Sequence, residues 1–305
     1  VYDPNSLHAR TKGSQSAFVN ERLLRHHFAF GKNWKSFLST ITPESITEAE
    51  RGLTRLLPPG ELRDRRFLDV GCGSGLSMLA AIRLGASQVT GIDLDPLSVE
   101  TAQMLLSTHA QGSEWSVRTA SVFDLNPTRD ARDGLDAGTA RAGEYDIVYS
   151  WGVLHHTGDV WGGIEKAASM VAPGGHLALA LYRHTPLCGF WKREKRFYAA
   201  APGWAQRLIR VLYKGTYALG LLATRRSPLH YVREYRSARG MDWHHDVHDW
   251  LGGYPYQSVE PQEVTRYLAG LGLSMERVFA RPAAARGLFG THCDEYVAVR
   301  NRQRE

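Results

Sequence analysis

Two carboxylates, three glycines and two clusters of histidine are the residues of this chain whose spacing could do chemistry. Asp69 sits in the apolar run Phe67-Leu68-Asp69-Val70, and Gly71, Gly73 and Gly75 follow it directly. Asp93 closes a second run, Gln88-Val89-Thr90-Gly91-Ile92-Asp93. Glycine lets a backbone turn sharply and lets a ligand approach with no Cβ in the way, and a carboxylate at the end of the next strand is placed to accept the hydroxyls of a ribose. His155 and His156 lie side by side after Gly152-Val153-Leu154. Imidazole has the intrinsic pKa of a general base near neutrality; the alternative is that one of the pair, His156, only packs or hydrogen-bonds under the sheet. His244 and His245, with Asp246, are the second candidate group. His244 and His248 have the i, i+4 spacing of metal ligands. No third ligand stands at a recognisable spacing, so no metal is assigned.

These residues need elements to hold them, and the chain alternates strand and helix around them. The helical pattern Leu76 to Leu84 follows the glycines, so the stretch reads as strand, tight turn, helix. Asp95-Pro96 opens a helix covering Ser98 to Ser107, with Asp95 as its cap. Trp115 to Val122 reads as the third strand and Tyr145 to Trp151 as the fourth. A helix from Val160 to Val171 ends at Pro173-Gly174-Gly175, and His176 to Tyr182 is the fifth strand. Residues 126–143, rich in Asp, Gly, Arg and Ala, read as a loop. The chain closes with a helix from Pro261 to Leu271, a strand from Leu273 to Phe279, a loop at 281–293 and a last strand from Asp294 to Arg300.

The glycine spacing is G-x-G-x-G: Leu76 stands where a dinucleotide fingerprint has its third glycine. This resembles motif I of the class I S-adenosylmethionine (SAM)-dependent methyltransferases. The sequence D-I-V-Y-S-W-G-V-L-H-H from Asp146 to His156, followed by Val171-Ala172-Pro173-Gly174-Gly175, resembles motifs IV to VI of their small-molecule members, the ubiquinone and menaquinone biosynthesis and natural-product methyltransferases among them. The resemblance extends well over residues 61–183 and moderately over the last 45 or so. It implies an α/β fold: a Rossmann-like, seven-stranded, mostly parallel sheet with an antiparallel last strand. An N-terminal helical cap (1–60), a SAM-binding core (61–183), a helical lid inserted after strand five (184–258) and a C-terminal part of the core (259–305) are expected.

The same resemblance implies the cofactor contacts. Gly71, Cys72, Gly73 and Gly75 would shape the floor under SAM, and Asp69 would orient the loop and the methionine ammonium. Asp93 and Leu94 would hold the ribose. Ser121, Val122 and Phe123 would flank the adenine, although relatives commonly carry an acid where this chain has Ser121. Ser150 and Trp151 would line the end of strand four. Trp34, in the aromatic-rich segment Phe28 to Leu38, would face the sulfonium if that segment caps the site, since aromatic faces attract cations; the bland alternative is a helix packing its aromatic face on the core. The piece Asp249-Trp250-Leu251-Gly252-Gly253-Tyr254-Pro255 resembles a tail found in a subset of class I methyltransferases and reads as a substrate-pocket loop.

With 305 residues, 43% hydrophobic and 22% charged, the composition is that of a globular chain, and no run approaches the roughly 20 apolar residues of a membrane span. Residues 1–26 are polar and read as loose, and no signal peptide is visible. Cys72, Cys188 and Cys293 lack disulfide, zinc or redox spacing, which favours a cytoplasmic setting. The net charge of +6 admits anionic substrates, nucleic acid or a membrane surface. The segment Phe190 to Tyr198 is basic and aromatic, and Leu208 to Leu222 is an apolar helical stretch. They read as a lid over a hydrophobic substrate, as a peripheral membrane contact, or as helices covering the core edge. Arg233, Arg236 and Arg239 read as a solvated stripe. The expected function is methyl transfer from SAM to an oxygen or carbon nucleophile of a small, apolar or aromatic metabolite, with a histidine base. Methylation of RNA or protein and a non-catalytic SAM-binding regulator are the alternatives. No RNA-binding module and no Asp/Asn-Pro-Pro-Tyr signature is present, so no nucleic acid partner is expected, and oligomerisation stays open.

Overall fold

Short apolar runs, separated by helices, form the strands. A computed structural model describes residues 30–38, 41–58, 60–125, 144–239, 242–280 and 288–302. The expectations for residues 1–26, Phe28, the loop 126–143 and residues 281–287 lie outside the described residues, as do those for the side chains of Phe37, Arg236 and Arg239. The strands are β1 (Arg66–Val70), β2 (Gln88–Asp93), β3 (Glu114–Thr119), β4 (Tyr145–Trp151), β5 (Val171–Tyr182), β6 (Leu273–Phe279) and β7 (Cys293–Arg300). They form one sheet in the order β3-β2-β1-β4-β5-β7-β6. The first five are parallel, while β7 runs antiparallel to both β5 and β6. Asp69 lies opposite Gly91 on one side and Tyr149 on the other. The chain moves outward in one direction from β1 and in the other from β4. That divide is the switch point at whose carboxyl edge open α/β sheets bind ligands.

Helices cover both faces. On one face lie α2 (Pro43–Leu56), α3 (Leu76–Arg83) and α4 (Pro96–His109), which bury Leu53, Met78, Leu79 and Leu106 against Phe67, Val89 and Ile147. On the other, α5 (Val160–Ser169) and α10 (Pro261–Gly270) bury Ile164 and Leu268 against Leu68, Val148 and Tyr296. Each such side chain contributes about 1.5–3 kcal/mol of burial. Asp95 caps α4 by accepting from Leu97 N–H at 2.9 Å. The insertion folds as α6 (Cys188–Ala200), α7 (Gly203–Ala223), α8 (Pro228–Arg239) and α9 (Trp243–Gly252). These helices share a separate aromatic core of Trp191, Tyr198, Tyr235, Trp243 and Tyr256, which Phe30 of α1 (Phe30–Leu38) also joins.

Two strand boundaries differ from the sequence expectation by more than one residue. β3 stops at Thr119, not Val122: Ser121 Oγ accepts from Phe123 N–H and Asp124 accepts from Ser121 N–H, so the chain turns into a single 3₁₀ turn. β5 begins at Val171 and runs through Pro173-Gly174-Gly175, where its pairing with β4 is interrupted by a register shift. No described helix is long and apolar enough to cross a membrane. Trp204, Leu208, Val211, Leu212, Leu219 and Leu222 of α7 are nevertheless exposed.

Candidate active site

The glycine loop hangs between β1 and β2. Gly71 and Cys72 donate their N–H groups to Ile92 O at 2.8 and 3.0 Å, and Gly73 N–H donates to Asp93 Oδ2 at 2.9 Å. Asp93 Oδ1 accepts from Asp95 N–H at 2.9 Å, so this strand-end carboxylate fastens the loop on one side and the start of α4 on the other. Gly71 and Gly73 have φ of +82° and +52°, a region that L side chains rarely adopt. A Cβ on Gly73 would stand 3.0 Å from Cε2 of Trp34, so the indole roofs the loop. Trp34 is held there by α1, whose Gly31 N–H donates to Asp95 Oδ2 at 2.8 Å.

Among the described residues, the electrostatics of this corner are those of acids without a counter-charge. Burial, with the Asp93 charge adding to it, pushes the Asp69 carboxyl up to about 8. Burial also raises Asp93, to about 6, against the lowering effect of the hydrogen bonds from Asp95 and Gly73. Such a corner fits a cationic ligand carrying a ribose. Cys72 turns inward instead: its Sγ would be 3.1 Å from a Cβ on Gly91, and burial raises the thiol's pKa. Leu94 is 37% exposed beside Asp93. Ser121 and Val122 are buried, and Ser121 and Phe123 are tied by the turn already described. Ser150 is buried with its hydroxyl donating to Val70 O at 2.9 Å. Trp151, 40% exposed at the end of β4, donates its Nε1–H to Glu295 on β7 at 2.9 Å.

Beyond β4 the two histidines take opposite tautomers, assigned by their partners. His155 is fully buried, and its Nδ1 accepts from Tyr182 N–H at 3.3 Å, so the proton sits on Nε2. Burial, then the charges of His156 and Lys195, hold its pKa well below the ordinary value. His155 is therefore a neutral donor at Nε2 and not the base that its position in the sequence suggested. His156 pairs its Nδ1 with Pro255 O at 2.7 Å, and a carbonyl can only accept, so Nε2 is the basic nitrogen.

The second candidate group is brought close to this corner but its side chains are spent elsewhere. His244 is exposed and bonds Lys214; His245 bonds Asp242 and, at 3.0 Å, Ser36; Asp246 accepts from Tyr235. His248 Nδ1 is bonded by Tyr198 and Arg210. Among the described residues no group of three or more His, Cys, Asp or Glu could hold a metal. What α9 does supply is a latch: Asn33 Nδ2 of α1 donates to Asp249 Oδ1 at 2.7 Å and to His245 O at 3.2 Å. The helix carrying Trp34 is thereby pinned to the insertion. The turn after α9 reaches the histidines, since a Cβ on Gly253 would be 3.1 Å from His156 Nε2. Sequence reasoning missed Asn33, Tyr182 and Lys195. Tyr182 stacks on His155 at 3.8 Å between ring centroids and Lys195 lies behind it, in a basic run that carried no sign of burial.

A profile described as "Methyltransferase domain" matches residues 44–276, from α2 into β6. Over 163 residues the chain is 36% identical to a ubiquinone biosynthesis O-methyltransferase of Xanthomonas axonopodis pv. citri, a stretch that is 53% of this chain and 56% of that protein. It is 33% identical over 159 residues to the protein of the same name from Bordetella avium, covering 52% of this chain and 56% of that one. The chain thus spans about half the length of the curated relatives it matches. In fold it is similar to a magnesium protoporphyrin IX methyltransferase from Synechocystis PCC 6803 solved with bound SAH. That likeness has a TM-score of 0.50 at 18% identity, over 86% of this chain and 85% of that one. The profile spans the glycine loop, the strand-end carboxylate and the histidine pair alike, and the chain belongs to the methyltransferase-domain family.

Proposed function

We propose that this chain transfers a methyl group from SAM to an oxygen or carbon nucleophile of a small, apolar or aromatic acceptor, with His156 as the base. The observation that carries the reading is the glycine loop tied through Gly73 N–H to the strand-end Asp93 and roofed by Trp34. The names of the curated relatives support a small acceptor, and O-methylation in particular. SAM, when bound, supplies a methyl on a positively charged sulfur that passes in line to the acceptor's nucleophile. The chain's own work is alignment and the exclusion of water. Asp93 accepts from the ribose hydroxyls, Asp69 faces the methionine ammonium, and Trp34 lies over the loop where a cation gains from an indole face. His156 Nε2 takes the proton of the nucleophile, while Pro255 O holds the ring in the tautomer that leaves this nitrogen basic.

The experiment is steady-state production of S-adenosylhomocysteine (SAH) with a panel of phenolic and enolic acceptors. His156→Asn should lower kcat about 10²–10⁴-fold and leave SAM affinity unchanged. An unchanged kcat in His156→Asn would remove this residue as the base, and SAM binding without turnover of any acceptor would favour a non-catalytic role.

A further inference from the structure

One helix of the insertion, α7, is apolar on two opposite faces. It has 21 residues, about 30 Å of helix. Its inner face sets Ile209, Tyr213 and Tyr217 against the aromatic core of the insertion, with the Tyr217 ring 5.0 Å from that of Trp243. Its outer face carries Trp204, Leu208, Val211, Leu212, Leu219 and Leu222, which stand 53–71% exposed. By helical periodicity these six fall within an arc of about 100°, on the side away from the packed face. Gly215 continues the row, with nothing within 4 Å of where its Cβ would be. One apolar face is enough to hold a helix to its core, and a second one left in water gains nothing from folding. A continuous apolar row of five turns marks a contact surface; single apolar residues scattered over a surface do not.

Charge identifies what this face meets. Residues 196–233 hold seven Lys and Arg and no Asp or Glu, while the whole chain is net +6. The rest of the chain is therefore net −1 (+6 less +7), so the positive charge is concentrated around α7. Five of the seven, Arg196, Arg207, Arg225, Arg226 and Arg233, are exposed. Arg207 lies at the edge of the apolar row, and Arg225 and Arg226 follow the end of the helix. A second copy of the chain would set this charge against itself. We infer that α7 is a docking helix for an anionic lipid bilayer, lying in the plane of its surface. The apolar row enters the boundary between headgroups and acyl chains, and the arginines meet the lipid phosphates. Trp204, at the first turn, suits the headgroup level. No described helix is long and apolar enough to cross the bilayer, so the helix lies on it. This surface does not depend on the methyl transfer proposed above.

The test is co-sedimentation of the full chain with vesicles of phosphatidylcholine alone and of phosphatidylcholine with roughly one third phosphatidylglycerol. The anionic vesicles should bind the chain at least tenfold more tightly, and raising salt from about 0.1 to 0.5 M should weaken that binding at least threefold. Leu208→Gln combined with Leu219→Gln should lose at least tenfold of the affinity. Arg225→Gln combined with Arg226→Gln should lose at least threefold, on the anionic vesicles alone. Both pairs are exposed, so both variants should keep the parent's melting temperature. A second measurement needs only the intact parent: lipid brominated near the headgroup should quench its tryptophan emission more than lipid brominated at the acyl-chain end. Trp204→Phe should remove most of that quenching. Binding to neither vesicle, equal binding to both, unchanged affinity in the leucine variant, or deeper lipid quenching more strongly would each overturn the docking helix. So would a dimer in analytical ultracentrifugation that the leucine variant abolishes, because the row would then seat a second copy. SAH affinity, measured on the same preparations, reports separately on the methyl-transfer reading.

Discussion

Among the described residues, Asp69 is a carboxyl with no cation beside it. It is 2% exposed, and burial and Asp93 hold it at about 8. The folded chain therefore keeps a proton there that the unfolded chain has released above the ordinary carboxylate range. Stability from this group is highest below that range and falls as pH rises toward 8, because the folded state binds the extra proton. Asp69→Asn should raise stability at pH 8 by at least about 1 kcal/mol, roughly 2–4 °C in Tm for a chain of this size, and change little near pH 4. The same substitution should weaken SAM binding, since the carboxylate proposed to face the methionine ammonium is gone. Melting curves at the two pH values check the first point and calorimetry the second; a variant destabilised at pH 8 would mean that Asp69 is ionised and paired. Asp93→Ala removes the acceptor of Gly73 N–H and Asp95 N–H as well as the proposed ribose contact. It should cost at least tenfold in SAM affinity, consistent with charge-assisted hydrogen bonds of about 1.5–3 kcal/mol partly replaced by water.

At the scale of elements, the cap and the insertion work as one clasp. Asn33→Ala deletes the two hydrogen bonds that pin α1 to α9. A buried hydrogen bond is worth about 0.5–1.5 kcal/mol, so SAH should dissociate roughly 3–10-fold faster with kcat little changed; stopped-flow displacement measures it. An unaltered dissociation rate would mean that α1 does not gate the cofactor. The strands that carry the site were legible in the sequence because each is an apolar run that ends in a carboxylate or runs into glycine: β2 and β4 have the bounds their residues suggest. The start of β5 was hidden by Pro173-Gly174-Gly175, which looks like a breaker and is accommodated only because the sheet slips register there. The clasp was hidden for a different reason. Asn33 and Asp249 are 216 positions apart, and no local pattern records a partnership made by tertiary packing. Lys195 was read within a basic stretch, and only the aromatic core of the insertion shows that this lysine points inward while its basic neighbours Lys192, Arg193 and Arg196 do not.

Across the whole molecule, the sheet order puts the glycine loop after β1, Asp93 at the end of β2 and the histidines after β4 along one carboxyl edge. The insertion returns to that same edge through Gly253 and Gln257, whose N–H donates to His155 O at 2.9 Å. Cofactor and acceptor would thus meet between the central strands and the clasp, which is the arrangement an in-line transfer needs. Calorimetric titration of SAM into the parent chain and into Gly73→Val tests this most directly. Valine there must adopt a φ of +52° and bring its Cβ to 3.0 Å from Trp34. The parent should bind SAM, and the variant, folded by circular dichroism, should show no measurable binding; unchanged SAM affinity in a folded Gly73→Val, or binding of NAD in place of SAM by the parent, would contradict the assignment of this loop as the cofactor site.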